Sequence, residues 1–282
     1  MHYGIEMPNF GTFSDLSLLV EMAQEAEQAG WDGFFIWDHI SLGLHPVPMA
    51  DPWIALTAVA VKTERIRLGP MVTPLPRRRP WKVAREAVSL DHLSGGRLIL
   101  GIGAGAGYAW DQLGEAADPK ERAAMLDEGL EVLMGLWKGE PFSYNGIYYQ
   151  VKETVFVPSP LQSPRIPIWI AGVWPKKPPF RRAAHWDGVI PTGGSYSIAL
   201  TPETVRDISS YLNATRLSER PFEVVIRGQR TTGENVAHEK ALLAAYEAAG
   251  GTWWFENVLF GSEPNWSAEA AHERIRKGPP KR

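Results

Sequence analysis

Hydrophobic positions follow two alternating rhythms along this chain. Short β-branched and aromatic runs are followed by longer stretches in which apolar residues recur every three or four positions. The runs at residues 3–7, 33–37, 65–72, 97–103, 166–171, 188–191, 222–227 and 252–256 predict strands. The stretches at 14–29, 52–62, 81–93, 119–136, 178–184, 202–217, 235–249 and 268–277 predict helices. Ser14 and Asp51 stand where N-caps belong, Pro80 opens a first turn, and Gly30 supplies a stop. One segment breaks the rhythm: residues 142–150 alternate around Asn145-Gly146, which signals a β-hairpin after the fourth helix.

Eight strand–helix units in 282 residues predict an α/β protein of the (β/α)₈ TIM-barrel class, carrying that hairpin excursion and forming a single domain over residues 1–282. Residues 99–102 are apolar throughout, as in strands covered on both faces. An open doubly wound sheet is the architectural alternative. The tail, 278–282, is expected to fray.

Composition narrows the chemistry. A net charge of −3 gives no electrostatic reason to expect a nucleic-acid or membrane-surface partner. With no cysteine there is no disulfide, thiolate nucleophile or Cys-ligated zinc. The start of the chain lacks the pattern of a signal peptide, and no run of about 18 apolar residues occurs. Together these suggest a cytoplasmic protein. Tryptophan is abundant, at 12 residues. Trp37, Trp110, Trp174, Trp253 and Trp254 adjoin turn signals, where they either pack the core or frame a flat ligand.

Barrels of this class place their reactive groups at the carboxyl ends of the strands. That rule draws attention to Asp38-His39 first, because a carboxylate beside an imidazole can exchange protons near neutral pH. Adjacent residues of an extended segment point in opposite directions, so one of the two is expected to be structural. Glu256, ending the eighth strand, is the second candidate acid–base group. The alternating glycines of 101–107 either bring backbone close to a ligand or form a simple turn. Gly172, Val173 and Trp174 precede a helix start, where free N–H groups suit a phosphate. The basic runs Arg77-Arg78-Arg79 and Lys176, Lys177, Arg181, Arg182 follow two strand ends and are either solvated surface or anion-binding. Metal-ligand motifs, a P-loop and a nucleophile elbow are absent from the sequence.

The segments AGWDGFFIWDHI (29–40), TERIRLGPMVTPLPRRRPWKVAREAVSLDHLSGGRLILGIGAG (63–105), LDEGLEVLMGLWKGEPF (126–142) with YNGIYY, IPIWIAG (166–172) and WDGVIPTGG (186–194) resemble the luciferase-like monooxygenase superfamily. The resemblance covers nearly the whole chain. It implies a (β/α)₈ barrel that binds FMN or coenzyme F420 over its mouth and acts on a small-molecule substrate. It further implies a bulge after the third strand, with a non-prolyl cis peptide, at Met71 and Val72. Phosphate binding is implied at Gly172, Val173 and Trp174, with Thr192 and Gly193 contributing. Asp38, His39 and Thr73 fall at positions that contact ring or substrate, and the strand-end glycine run adds Gly103, Ala104 and Gly105 as cofactor-binding candidates. The family's sugar-phosphate dehydrogenases carry a catalytic Glu where this chain has Ala106, so a glucose-6-phosphate-type reaction is not expected. The segment 228–235 is short where relatives carry a covering insertion. The resulting expectation is a hydride-transferring or oxygen-using oxidoreductase with His39 as proton donor or acceptor and Glu256 behind it, F420 preferred over FMN, and a homodimer. An FMN-dependent monooxygenase, a non-catalytic flavin-binding protein and a flavin-free phosphate-binding barrel are the rival readings.

Overall fold

The computed structural model describes all residues except 106–109, 195–198, 228–230, 232–234, 260, 263–264 and 281–282, and only the backbone of 261, 262 and 265. The barrel strands are β1 (His2–Met7), β2 (Gly33–Ile36), β3 (Arg67–Pro70), β4 (Thr73–Pro74), β5 (Leu100–Gly103), β8 (Ile168–Val173), β9 (Gly188–Thr192), β10 (Glu223–Arg227) and β11 (Trp253–Glu256). The hairpin pairs β6 (Phe142–Asn145) with β7 (Gln150–Thr154), and a second small hairpin pairs β12 (Gly261–Ser262) with β13 (Asn265–Trp266). Among the described residues, eight α-helices alternate with the barrel strands: α1 (Leu16–Ala29), α2 (Pro52–Lys62), α3 (Pro80–Leu93), α4 (Pro119–Trp137), α5 (Lys177–Ala183), α6 (Pro202–Thr215), α7 (Val236–Ala248) and α8 (Ala268–Arg276).

All barrel pairings are parallel, in the order β3-β2-β1-β11-β10-β9-β8-β5-β4. The third predicted strand is split. β3 pairs with β2, β4 pairs with β5, and the Met71–Val72 peptide between them is cis. Leu68 bridges to Leu98, so the ring closes at this seam. The structure is therefore the expected barrel and not the open sheet. No helix among the described residues is long and apolar enough to cross a membrane.

Alternation along the strands sorts side chains into two cores. Phe35, Met71, Ile99, Trp169, Ile190, Val225, Trp253 and Phe255 fill the lumen. Their strand neighbours, such as Ile5, Phe34 and Trp254, face outward into the larger layer packed against the helices. The lumen is solid: Phe35 stacks on Phe255 at 4.9 Å and Trp169 meets Trp253 at 5.3 Å. Room for this comes from glycine. A Cβ on Gly69 would lie 1.8 Å from the Ile99 carbonyl oxygen.

Local differences from the sequence expectations have local causes. Asp15, not Ser14, caps α1: its side chain accepts the Ser17 N–H, while Ser14 ends a preceding 3₁₀ turn. Asp51 caps α2 as expected, accepting from Trp53 and Ile54. Gly30 ends α1 at φ 90°, a left-handed conformation that glycine adopts without strain. Gly278 does not fray: its carbonyl accepts from Arg274. The β6–β7 hairpin is held to α4 by Glu128, whose carboxylate accepts the N–H groups of Ile147, Tyr148 and Tyr149.

Candidate active site

Continuing the lumen parity to the carboxyl ends of the strands brings Glu6, Trp37, Gly103, Ala171, Val173, Thr192 and Arg227 to the barrel mouth, where Val72 joins them after the cis peptide. Most are half-buried, unlike the plug beneath them. Across this mouth Glu6 and Arg227 form a two-point ion pair, with Arg227 Nε 2.9 Å from Glu6 Oε1 and its terminal nitrogen 2.9 Å from Oε2. The Trp37 indole lies near enough to Glu6 to favour its ionised form. Burial pushes the Glu6 carboxyl up, opposed by the Arg227 charge and by these hydrogen bonds.

The two members of the Asp38-His39 pair diverge, as alternation requires. Asp38 is buried and faces the helical layer. It accepts from Thr73 Oγ1 at 2.7 Å, from the Trp53 indole at 3.3 Å and from Arg78 at 2.9 Å. His39 faces the mouth, half-buried, with its ring edge-on to Phe10 at 5.4 Å. Its backbone is fixed by Asn9, which accepts the His39 N–H at 3.2 Å and donates to the carbonyls of His39 and Ala50 at 2.7 Å each. Burial lowers the imidazole pKa below its ordinary 6.5; Asp38 pulls it up and Arg77 pushes it further down. His39 is therefore mainly neutral at pH 7, able to accept a proton and then release it.

Beside this pair lies a shelf of small residues. Val72 projects over Gly101 and Gly103, where an added Cβ would come within 3.1 Å of its methyl groups, and Ala171 borders Gly103 from the next strand. Met71 belongs to the plug underneath. Ala104 and Gly105 continue from β5, with Gly105 at φ 79° against Trp110. Ala106 and Gly107 lie outside the described residues. Among the described residues this shelf is apolar and lined by small side chains, which suits the face of a planar ring.

The implied phosphate end is assembled from two neighbouring strands. Val173 pairs with Thr192, and the Trp174 N–H donates to the Thr192 carbonyl at 2.9 Å. Gly172, Val173, Trp174, Thr192 and Gly193 are thus brought together. The helix end supplies fewer donors than the sequence suggests. Pro178 and Pro179 have no N–H, that of Lys176 bonds to Val173, and α5 spans only 7 residues. Both basic runs are partly engaged. Arg77 pairs with Glu115, Arg78 with Asp38 and Arg182 with Asp127, while Lys177 lies 3.5 Å above the Trp174 ring.

Glu256 is placed elsewhere. It alternates with lumen-facing Phe255 and so points outward, 1% exposed, accepting from Arg274, Trp254 and Thr231. Burial raises its carboxyl pKa, opposed chiefly by Arg274. Of the flagged tryptophans, Trp37 and Trp174 border the mouth. Trp253 plugs the lumen, Trp254 packs on Tyr246, and Trp110 lies between Arg77 and Arg122. Sequence reasoning missed Glu6, Phe10 and Trp266 as mouth residues; Asn9 and Arg227 it placed at strand ends without giving them a role. Strict period-two counting from lumen-facing Gly4 and Val225 reaches Glu6 and Arg227; no local signal marks Trp266. A separate cavity of about 850 Å³ opens at the opposite, amino-terminal end, among His2, Arg67, Arg165 and Trp253. It is remote from His39 and from the shelf.

Residues 4–281 match the family described as luciferase-like monooxygenase. The chain is 29% identical over 270 residues to an F420-dependent glucose-6-phosphate dehydrogenase of Amycolatopsis mediterranei, covering 90% of this chain and 72% of that one. It is 31% identical over 154 residues to the oxygenase component of a flavin-dependent trigonelline monooxygenase of Acinetobacter baylyi, covering 54% of this chain and 42% of that one. The second match thus spans less than half of the relative's length. Among solved structures, the coenzyme F420-dependent tetrahydromethanopterin reductase of Methanopyrus kandleri superposes with a TM-score of 0.74 at 19% identity, covering 98% of this chain and 96% of that one. That likeness shows a common fold.

Proposed function

The chain belongs to the luciferase-like monooxygenase family, and we propose that it is an oxidoreductase that holds coenzyme F420, in preference to FMN, over the shelf at the barrel mouth. The observation that carries this reading is His39: a half-buried imidazole with a lowered pKa, edge-on to Phe10, after the strand that neighbours the Met71–Val72 turn and its apolar shelf. The preference for F420 draws on the F420-dependent relative, which matches 90% of this chain, against 54% for the flavin-dependent one. The shelf fits the flat part of either cofactor, since Gly103, Val72 and Ala171 leave its face clear. Met71, Val72, Thr73, Gly103, Ala104 and Gly105 would border the ring. Gly172, Val173, Trp174, Thr192 and Gly193 would hold its phosphate end.

When bound, such a cofactor supplies hydride or oxygen chemistry that no side chain here can perform. The chain's own part is positioning and proton movement. Asn9 fixes the His39 backbone, and Asp38, bound to Thr73, Trp53 and Arg78, locks the neighbouring position. His39 then holds or takes the substrate proton at a ring nitrogen. Glu256 stays with Arg274 as a buried anchor, and the acid–base role is assigned to His39 alone.

Titration of the purified full chain with F420 and with FMN tests the cofactor choice. F420 is expected to bind more tightly, with affinity falling as salt rises. Tighter FMN binding reverses the choice.

We also propose a homodimer through α2 and α3. Ile54 and Val61, one stripe of α2, are 60% and 61% exposed, and Trp81 on α3 is 37% exposed. Ile54→Lys with Val61→Lys should yield a monomer by light scattering. A monomeric wild type at working concentration refutes the dimer.

A further inference from the structure

We infer that the substrate side of the mouth takes an uncharged, flat, largely apolar molecule with one oxygen function, and excludes sugar phosphates and carboxylates. The inference rests on reading the mouth as the reaction site, and it names the substrate class for that site.

Two independent observations carry it. The first is an aromatic wall drawn from three separate parts of the chain. Phe10 follows β1, Trp37 and His39 follow β2, and Trp266 ends β13. Phe10 lies 6.0 Å from Trp37, 5.4 Å from His39 and 5.6 Å from Trp266, and Trp37 meets Trp266 at 6.2 Å with their planes perpendicular. Rings packed in tilted and perpendicular pairs in this way hold a rigid apolar surface in place. Trp37 and His39 are its half-exposed members.

The second observation concerns charge. Binding a phosphate or carboxylate calls for a guanidinium or ammonium with open donors. Every arginine described around this part of the mouth is already engaged. Arg227 is held by Glu6, Arg78 by Asp38 and Arg77 by Glu115; Arg122 donates to the carbonyls of Ala104, Ala116 and Ala117. Recruiting Arg227 for an anionic substrate would leave the half-buried Glu6 carboxylate without its arginine. A neutral carbonyl or hydroxyl needs no such rupture, because a single hydrogen bond from or to the His39 imidazole satisfies it.

The relative 29% identical over most of this chain is a glucose-6-phosphate dehydrogenase, so the inference separates the two by the chemistry of the occupant. It can be checked by isothermal titration of the full chain, as purified and again with saturating F420 or FMN. The probes are acetophenone, benzoate and glucose 6-phosphate. Acetophenone is expected to bind at least about 10-fold more tightly than benzoate, and glucose 6-phosphate should show no saturable heat. Trp37→Ala should weaken acetophenone binding at least about 10-fold, while Trp37→Phe keeps it within about 3-fold. Should the alanine variant fail to fold by circular dichroism, Trp37→Leu takes its place. Benzoate or glucose 6-phosphate binding as tightly as acetophenone overturns the inference, as does an unchanged affinity in the Trp37 variants. Saturable acetophenone binding without any cofactor binding upholds the substrate class and defeats the oxidoreductase reading. Turnover of glucose 6-phosphate by the loaded protein does the reverse.

Discussion

The two ends of the barrel carry similar residue types but employ them differently. At the amino end, charged side chains are engaged by backbone. The Glu27 carboxylate accepts the N–H groups of Glu64, Arg65 and Ile66. Arg97 donates to the carbonyls of Ser94, Ile66, Ala60 and Thr63 and to the Thr63 hydroxyl. Asp187 binds both Arg165 and the Ile168 N–H. These groups stitch loops to strand starts. At the carboxyl end several side chains meet one another, as Glu6 meets Arg227 and Asp38 meets Thr73, Trp53 and Arg78, and His39 is half-buried. An end whose polar groups are consumed by backbone contributes stability. An end whose polar groups are aimed at side chains and space has capacity left for chemistry.

Substitutions at the two ends should therefore fail in different currencies. The largest effect is expected at the amino end. Arg97→Ala strands several buried carbonyls and should cost about 4 kcal/mol of stability by denaturant unfolding, with little change in turnover per folded molecule. A loss of turnover without a loss of stability would erase the contrast between the ends.

His39→Ala is next. It should slow turnover about 10²-fold, roughly 2.7 kcal/mol on the barrier, while folding stability and cofactor affinity stay nearly unchanged. An unchanged rate in steady-state assays removes His39 from the mechanism.

A smaller effect concerns pH. Because burial lowers the His39 pKa, the neutral form persists below its ordinary 6.5. Base-assisted turnover should fall on the acid side with a midpoint below that value, and His39→Ala should flatten this limb. The sign for stability agrees: His39's contribution is present above about 6.5 and is lost as pH falls toward its lowered pKa. A limb centred above 6.5 would contradict the assignment.

The smallest effect is at Glu27. Burial raises this carboxyl, but the N–H groups of Arg65, Ile66 and Glu64 together hold it below its ordinary 4.5. Its stabilisation is therefore present above about pH 4.5 and disappears as pH falls below that. Glu27 is half-buried and its hydrogen bonds lie open to solvent, so Glu27→Gln should cost under about 1 kcal/mol at pH 7 and less still at pH 3, read from unfolding midpoints.

Much of this molecule could be read along the chain, though unevenly. The helices of units two and four were placed to within a residue, because Asp51 and Pro119 fix their starts chemically. The third strand was read as one run over 65–72, since apolar pattern cannot register the break at Met71–Val72 that divides its pairing between two neighbours. Asp38 and His39 were found together, but only the structure separates a buried hub from an open imidazole. Glu256 was drawn into the site by its position at a strand end. One step of alternation turned it away, towards Arg274.

The sequence by itself determined the number and order of the βα units and the class of fold. Those properties follow from periodicity, capping and turn residues, each acting over a few neighbours. Tertiary structure alone decided which side chains meet at the mouth. Glu6 and Arg227 lie 221 residues apart, and Phe10 reaches Trp266 across nearly the whole chain. Their contact exists because β1 pairs with β11 and β11 with β10, in a register set by how lumen side chains pack around the ring. Register of that kind is a property of the closed barrel as a whole, and no local stretch of sequence encodes it.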